Sequence, residues 1–166
     1  MTERTLLLMR HAKSDYPTGV VDHERPLAAR GMREAALAGL WLRTNVDPID
    51  AVLCSTATRT RETLTRARLD APVTFVERLY DAVPSTVIDE INAVDDEVTT
   101  LLVIGHEPAM SSVVLGLAGA PGTSQAAAER ISTKFPTSAI AVLRVEGPWR
   151  DLTLGGAALV TFHVPR

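Results

Sequence analysis

Six short apolar runs rich in branched residues punctuate this chain: TLLLM, AVLC, VTFV, TLLVI, SAIAVLRV and AALVTFHV. Between them the apolar residues recur at helical spacing, so strands alternate with helices. That alternation predicts an α/β fold, a three-layer α/β/α sandwich whose helices cover both faces of a mainly parallel central sheet. Leu37, Leu40 and Trp41 fall on one helical face and are expected to point inward, as are Val87, Ile88 and Ile91 behind Ser85 as the expected cap. A further helix is expected to open at Pro108, turning Ala109, Met110, Val113, Val114 and Leu117 to the core. Stretches 15–26 and 119–136, rich in Pro, Gly, Ser and charge, are expected to be loops bordering a site, with SQAAAER a solvated helix or a mobile loop. No internal repeat or linker divides the sequence, so residues 1–166 are expected to form one domain.

Composition removes several classes of function. At 166 residues the chain can build a core without disulfides or metal staples. Its net charge of −3 gives no broad basic surface, which argues against nucleic acid as partner. MTERTLLLM carries an acidic residue and too short an apolar run for a signal peptide, and no later run approaches a membrane-spanning length. The single Cys54 rules out an intrachain disulfide, so a reducing cytoplasm is the expected compartment.

Open parallel sheets bind ligands beyond the carboxyl ends of their strands. There the first run delivers Arg10 and His11, the second ends in Cys54-Ser55 with Arg59 one turn on, and the fourth ends in Gly105-His106. Two converging guanidinium groups suit phosphate oxygens, which they can bind through paired donors. Among positive charges the protonated form of His11 is disfavoured, leaving a neutral imidazole able to attack phosphorus if its other ring nitrogen donates to a carbonyl. His106 can donate to oxygens that gain charge in the transition state. His23, in a polar loop, and His163, in the last strand, lack such company and are expected to be solvent-facing or satisfied.

Rival chemistries fit less well. No pair among the four histidines has the short spacing that places metal ligands on one helical face, so neither metal nor cofactor is expected. A cysteine phosphatase needs five residues between its Cys and Arg, and CSTATR has four; Cys54 is read as a small packing residue. A catalytically silent interaction module would have no use for the intact Arg-His-Arg-His set.

LLLMRHAKS, CSTATRTRET and LLVIGHEP, taken together, resemble the three motifs of the histidine phosphatase, or phosphoglycerate mutase-like, superfamily. RHAKS, DHERPLAARG, LYDA, GHEP and FPTSAIAVL most resemble its compact bacterial phosphohistidine phosphatases of the SixA type. The resemblance implies a phosphoglycerate mutase-like fold, His11 as the phosphorylated nucleophile, and Arg10, Arg59 and His106 as ligands of the phosphoryl group. It adds Arg25 of ERPL as a further phosphate contact. Many members carry a glutamate general acid after the third strand, where this chain offers Asp81, with Glu77 second. It also lacks the long insertion that lids the mutase site.

The expected activity is therefore a metal-independent phosphatase working through a phosphohistidine intermediate. Its expected partner is a phosphorylated protein bearing phosphohistidine, whose imidazole leaving group needs little help from an acid. The alternative is a small phosphorylated metabolite, a monoester or anhydride, with mutase activity third.

Overall fold

The computed structural model describes residues 2–166 and places the six runs in one sheet. The strands are β1 (Glu3–Arg10), β2 (Ala51–Ser55), β3 (Val73–Val76), β4 (Thr100–Gly105), β5 (Ile140–Glu146) and β6 (Ala157–His163), in the order β3-β2-β4-β1-β5-β6. β1, β2, β3 and β4 run parallel, while β5 is antiparallel to β1 and β6 antiparallel to β5. The central strands are covered on both faces, which is why they read as unbroken apolar runs; every residue of β4 is buried.

Alternate residues of β1 serve different layers. Leu6 and Leu8 pack with Val87, Met110, Val113 and Ile131 from α3 (Pro84–Asn92), α4 (Ala109–Leu117) and α5 (Gln125–Thr133). Leu7 and Met9 pack with Ala38, Leu42 and Leu64 from α1 (Ala29–Asn45) and α2 (Thr58–Ala67). The three-layer sandwich follows from that division.

Three local expectations need correction. Leu37 and Leu40 do not point inward: they are 40% and 53% exposed, and Trp41 is half-buried. The buried face of α1 carries Gly31, Ala35, Ala38, Gly39 and Leu42 instead. Small residues win it because α1 lies so close to its neighbours that a Cβ on Gly39 would stand 1.9 Å from the Ala67 carbonyl oxygen, and one on Gly31 2.0 Å from that of Lys13. Ser85 is not the cap of α3; Val83 holds that position and Pro84 opens the helix. The 119–136 stretch is not all loop, since Ser124 caps α5 by accepting from the Ala127 amide at 3.1 Å, and Ala127 and Ile131 are buried. The Pro108 expectation fits: Pro108 immediately precedes α4, and all five named residues are buried.

Candidate active site

The paired register of β1 and β4 sets Arg10 opposite Gly105, so His11 and His106 emerge side by side at the carboxyl edge, with ring centroids 5.3 Å apart. The pairing continues one residue further, the His11 amide donating to the Gly105 carbonyl at 3.0 Å. On the other flank the next amide, Ala12, donates to Thr63 Oγ1 of α2 at 2.9 Å. Both sides of the turn are therefore fixed by hydrogen bonds.

His11 is 6% exposed, and its Nδ1 lies 2.7 Å from the Ala12 carbonyl oxygen. A carbonyl can only accept, so Nδ1 carries the proton and Nε2 keeps its lone pair. Burial, with further contributions from His106, Arg59 and Arg10, pushes the His11 pKa down to about 3. His106 is pushed down to about 4, first by burial and then by Arg59. Its Nε2 lies 2.8 Å from Ser55 Oγ, which already accepts from the Ala57 amide. The Ser55 hydroxyl can thus donate to Nε2, leaving the His106 proton on Nδ1.

Arg10 donates through Nη1 to the Phe135 carbonyl at 2.9 Å, and Arg59 through Nη1 to the Asp22 carbonyl at 2.8 Å. Arg10 Nε, Arg59 Nε and His106 Nδ1 are buried and have no partner in the protein. All three residues line one cavity of about 190 Å³, together with His11, Lys13, Ser14, Tyr16, Arg25, Glu107 and Thr137. Buried donors without acceptors are costly, and the residues that carry them converge on the cavity where a tetrahedral oxyanion would fit.

The sequence reading brought Arg10, His11, Arg59 and His106 together, and the structure does the same. Arg25 also lines the cavity, where it bonds Asp22 Oδ1 (3.0 Å), Ser14 Oγ (2.7 Å) and the Asp15 carbonyl (3.0 Å) and lies 4.0 Å from the Tyr16 ring centre. Asp81 does not line it: this residue is exposed in a turn with φ of 54°, a left-handed conformation that aspartate tolerates. Glu77 is also exposed outside the cavity. The carboxylate that does line it is Glu107, whose two oxygens accept from the amide and hydroxyl of Ser111, each at 2.7 Å.

Sequence reasoning missed Asp22 and Tyr80. Asp22, in a short 3-10 turn at Asp22–Glu24, accepts from Arg59 Nη2 at 3.2 Å, from Arg25 and from the Tyr80 hydroxyl. The Tyr80 hydrogen bond leads the causes that hold its carboxyl well below the usual range. Asp22 therefore clamps two arginines with one side chain, and the available signal was its position three residues before Arg25. Tyr80 stands edge-on to His106 at 5.5 Å and to His23 at 4.8 Å. His23 is satisfied, as expected, through Thr56 Oγ1 at 3.0 Å, and His163 stacks on Trp41 at 4.4 Å.

This fold recurs in solved structures. A structure assigned as the phosphohistidine phosphatase SixA from Nakamurella multipartitia superposes with a TM-score of 0.91 at 36% identity, over 99% of this chain and 98% of the other. The sequence profile of the histidine phosphatase superfamily (branch 1) matches residues 6–82. This chain belongs to that superfamily. As a histidine phosphatase it is a phosphatase acting on phosphorylated substrates. Rv1276c of Mycobacterium tuberculosis, an uncharacterized protein, is 65% identical over 95% of this chain and all of its own length. The protein histidine phosphatase SixA complexed with tungstate has a TM-score of 0.78 at 25% identity over 97% of each chain. Among the described residues, no helix is long and apolar enough to cross a membrane, and no three His, Cys, Asp or Glu side chains cluster as a metal site.

Proposed function

We propose that this phosphatase removes the phosphoryl group from phosphohistidine in a protein, using His11 as nucleophile. The observation that carries the proposal is the neutral, desolvated His11 with its lone pair on Nε2, beside three buried donors that lack acceptors. Nε2 attacks phosphorus, the bond to the leaving nitrogen breaks, and that nitrogen takes up a proton. Water then attacks the phosphorylated His11, releasing inorganic phosphate and regenerating the neutral ring. In both steps Arg10 Nε, Arg59 Nε and His106 Nδ1 meet the charge that spreads over the phosphoryl oxygens. Arg10 and Arg59 supply the needed positive charge, so a chelator should leave turnover unchanged. The buried, unpaired Cys54 is consistent with a cytoplasmic enzyme.

The favoured leaving group follows from the carboxylates. Asp81 stands outside the cavity, and Glu107 commits both oxygens to Ser111. A site so arranged suits an imidazole, which accepts a proton near neutral pH, better than an alkoxide. The neighbours described as SixA phosphatases support the same substrate class. The second reading, a small phosphate monoester or anhydride, is favoured by the outer cations Lys13 and Arg25, which could hold another anionic group of a metabolite.

One preparation should be assayed on a phosphohistidine protein, an aryl phosphate and an alkyl phosphate, with rapid acid and alkaline quenching. Fast P–N turnover, slow alkyl turnover and an acid-labile phosphoenzyme that is absent from His11→Ala are expected. Asp81→Asn should leave all three rates nearly unchanged. Labelling that survives His11→Ala would remove the nucleophile assignment, and efficient alkyl turnover lost in Asp81→Asn would restore Asp81 as acid and favour the monoester.

A further inference from the structure

Helix α1 is apolar on two sides. Its small residues face the sheet and α2, while Leu37 and Leu40 stand 40% and 53% exposed on the outer side. With Met32 and Ala36 they floor an open groove of about 730 Å³ between α1 and α2, which shares no lining residue with the catalytic cavity. Met32, Ala36 and Leu40 recur every fourth residue and form a ridge about 12 Å long, two turns of helix.

The groove wall is cationic. Arg66 and Arg68 line it, are exposed and enter no ion pair among the described residues. Arg43 joins them, fixed by the Ala67 and Arg68 carbonyls at 2.6 and 3.0 Å. Glu62, the one carboxylate lining the groove, has Oε1 engaged by the Leu27 amide at 2.7 Å. Helices α1 and α2 with the capping Arg68 hold seven arginines against two glutamates, in a chain whose net charge is −3. Of these, Arg43, Arg66 and Arg68 line the groove, against the single Glu62.

We propose that this groove docks an amphipathic, acidic helix of a partner protein. Its apolar residues, at positions i, i+4 and i+7 or i+8, would lie on the Met32-Ala36-Leu40 ridge, and its Asp and Glu flank would meet Arg66 and Arg68. A second copy of this chain fits poorly, because a symmetric contact through this face sets arginines against arginines. A nucleic acid would leave the leucines without apolar partners. Arg66, which would meet the acidic flank, lies in the last turn of α2, whereas the catalytic Arg59 lies in the first.

The test uses a fluorescein-labelled synthetic peptide of four helical turns, with leucines at those positions and glutamates on one flank, and a twin carrying lysines instead. Anisotropy should show saturable, salt-sensitive binding of the acidic peptide and none of the basic one. Leu37→Ser with Leu40→Ser, and separately Arg66→Glu with Arg68→Glu, should each weaken binding about tenfold or more. Aryl phosphate turnover should stay at the wild-type rate in both pairs, which certifies folding. The proposal is overturned if the acidic peptide fails to bind, or binds wild type and variants alike. It is equally overturned if wild type self-associates in sedimentation velocity and the leucine changes abolish this, or if duplex oligonucleotide or phosphatidylglycerol vesicles bind where the peptide does not.

Discussion

Acidification should destabilise this protein chiefly through His11 and His106. Both have an ordinary pKa of 6.5, and in the fold these fall to about 3 and about 4. As pH drops below 6.5 the unfolded chain takes up two protons that the folded protein refuses, so stability present above that pH is lost until the folded values are reached. At about pH 5 each histidine is about 1.5 pH units below its unfolded pKa, a cost of about 2 kcal/mol apiece and about 4 kcal/mol for the pair. That is a large share of the roughly 5–15 kcal/mol that holds a domain folded. Urea unfolding can be followed through the fluorescence of the buried Trp149 and half-buried Trp41. Between about pH 7.5 and about pH 5, wild type should lose about 4 kcal/mol more than His11→Asn/His106→Asn, and each single variant should recover about half of the difference. Comparing variants cancels the carboxylates and the other histidines. If wild type and the double variant lose stability in parallel, the two rings are not held neutral by burial and the account of the nucleophile fails with it.

Asp22→Ala should loosen Arg59 and Arg25 together, leaving them only their bonds to the residue 22 carbonyl and to Ser14 and Asp15, and lower kcat/KM by about a hundredfold as steady-state rates on an aryl phosphate would report, because each guanidinium loses a charge-assisted bond. Gly39→Ala should lower stability by about 3 kcal/mol in urea unfolding, since its Cβ would meet the Ala67 carbonyl oxygen at 1.9 Å. Cys54→Ser should keep full turnover, and iodoacetamide should not inactivate the native enzyme, because burial raises the Cys54 thiol pKa to about 12 and leaves no thiolate to react. Inactivation by the alkylating agent at neutral pH would contradict that assignment.

The central architecture was legible in the sequence because strands buried on both faces must be apolar throughout, as in TLLLM and TLLVI. The residues that follow them, Arg10-His11 and Gly105-His106, then stand out against that background. What was illegible depends on close approach. Leu37 and Leu40 are more hydrophobic than Ala35, Ala38 and Gly39, yet the close approach of α1 to its neighbours, α2 at Gly39 among them, favours the smaller residues on the buried face, and no periodicity conveys that distance. The position of Asp81 outside the cavity was equally illegible. Asp81 is next to Tyr80 in sequence, but in space it is Tyr80 that borders His106, while the neighbouring carboxylate turns out to solvent. Asp22 lies only three residues before Arg25, but the fold alone brings Arg59 from 37 residues away to share it.

The strand order also has a consequence for synthesis. β1 leaves the ribosome first, but its two neighbours in the sheet are β4 and β5, which begin at Thr100 and Ile140. β2 and β3 can pair with each other as soon as both are made, whereas β1 must wait with both hydrogen-bonding edges bare and its leucines uncovered. The segment that carries the nucleophile is thus the part of the nascent chain most exposed to mispairing and most in need of shielding by a chaperone. A chain truncated before Thr100 would possess His11, Arg10 and Arg59 and still lack both strands that hold β1 in the sheet.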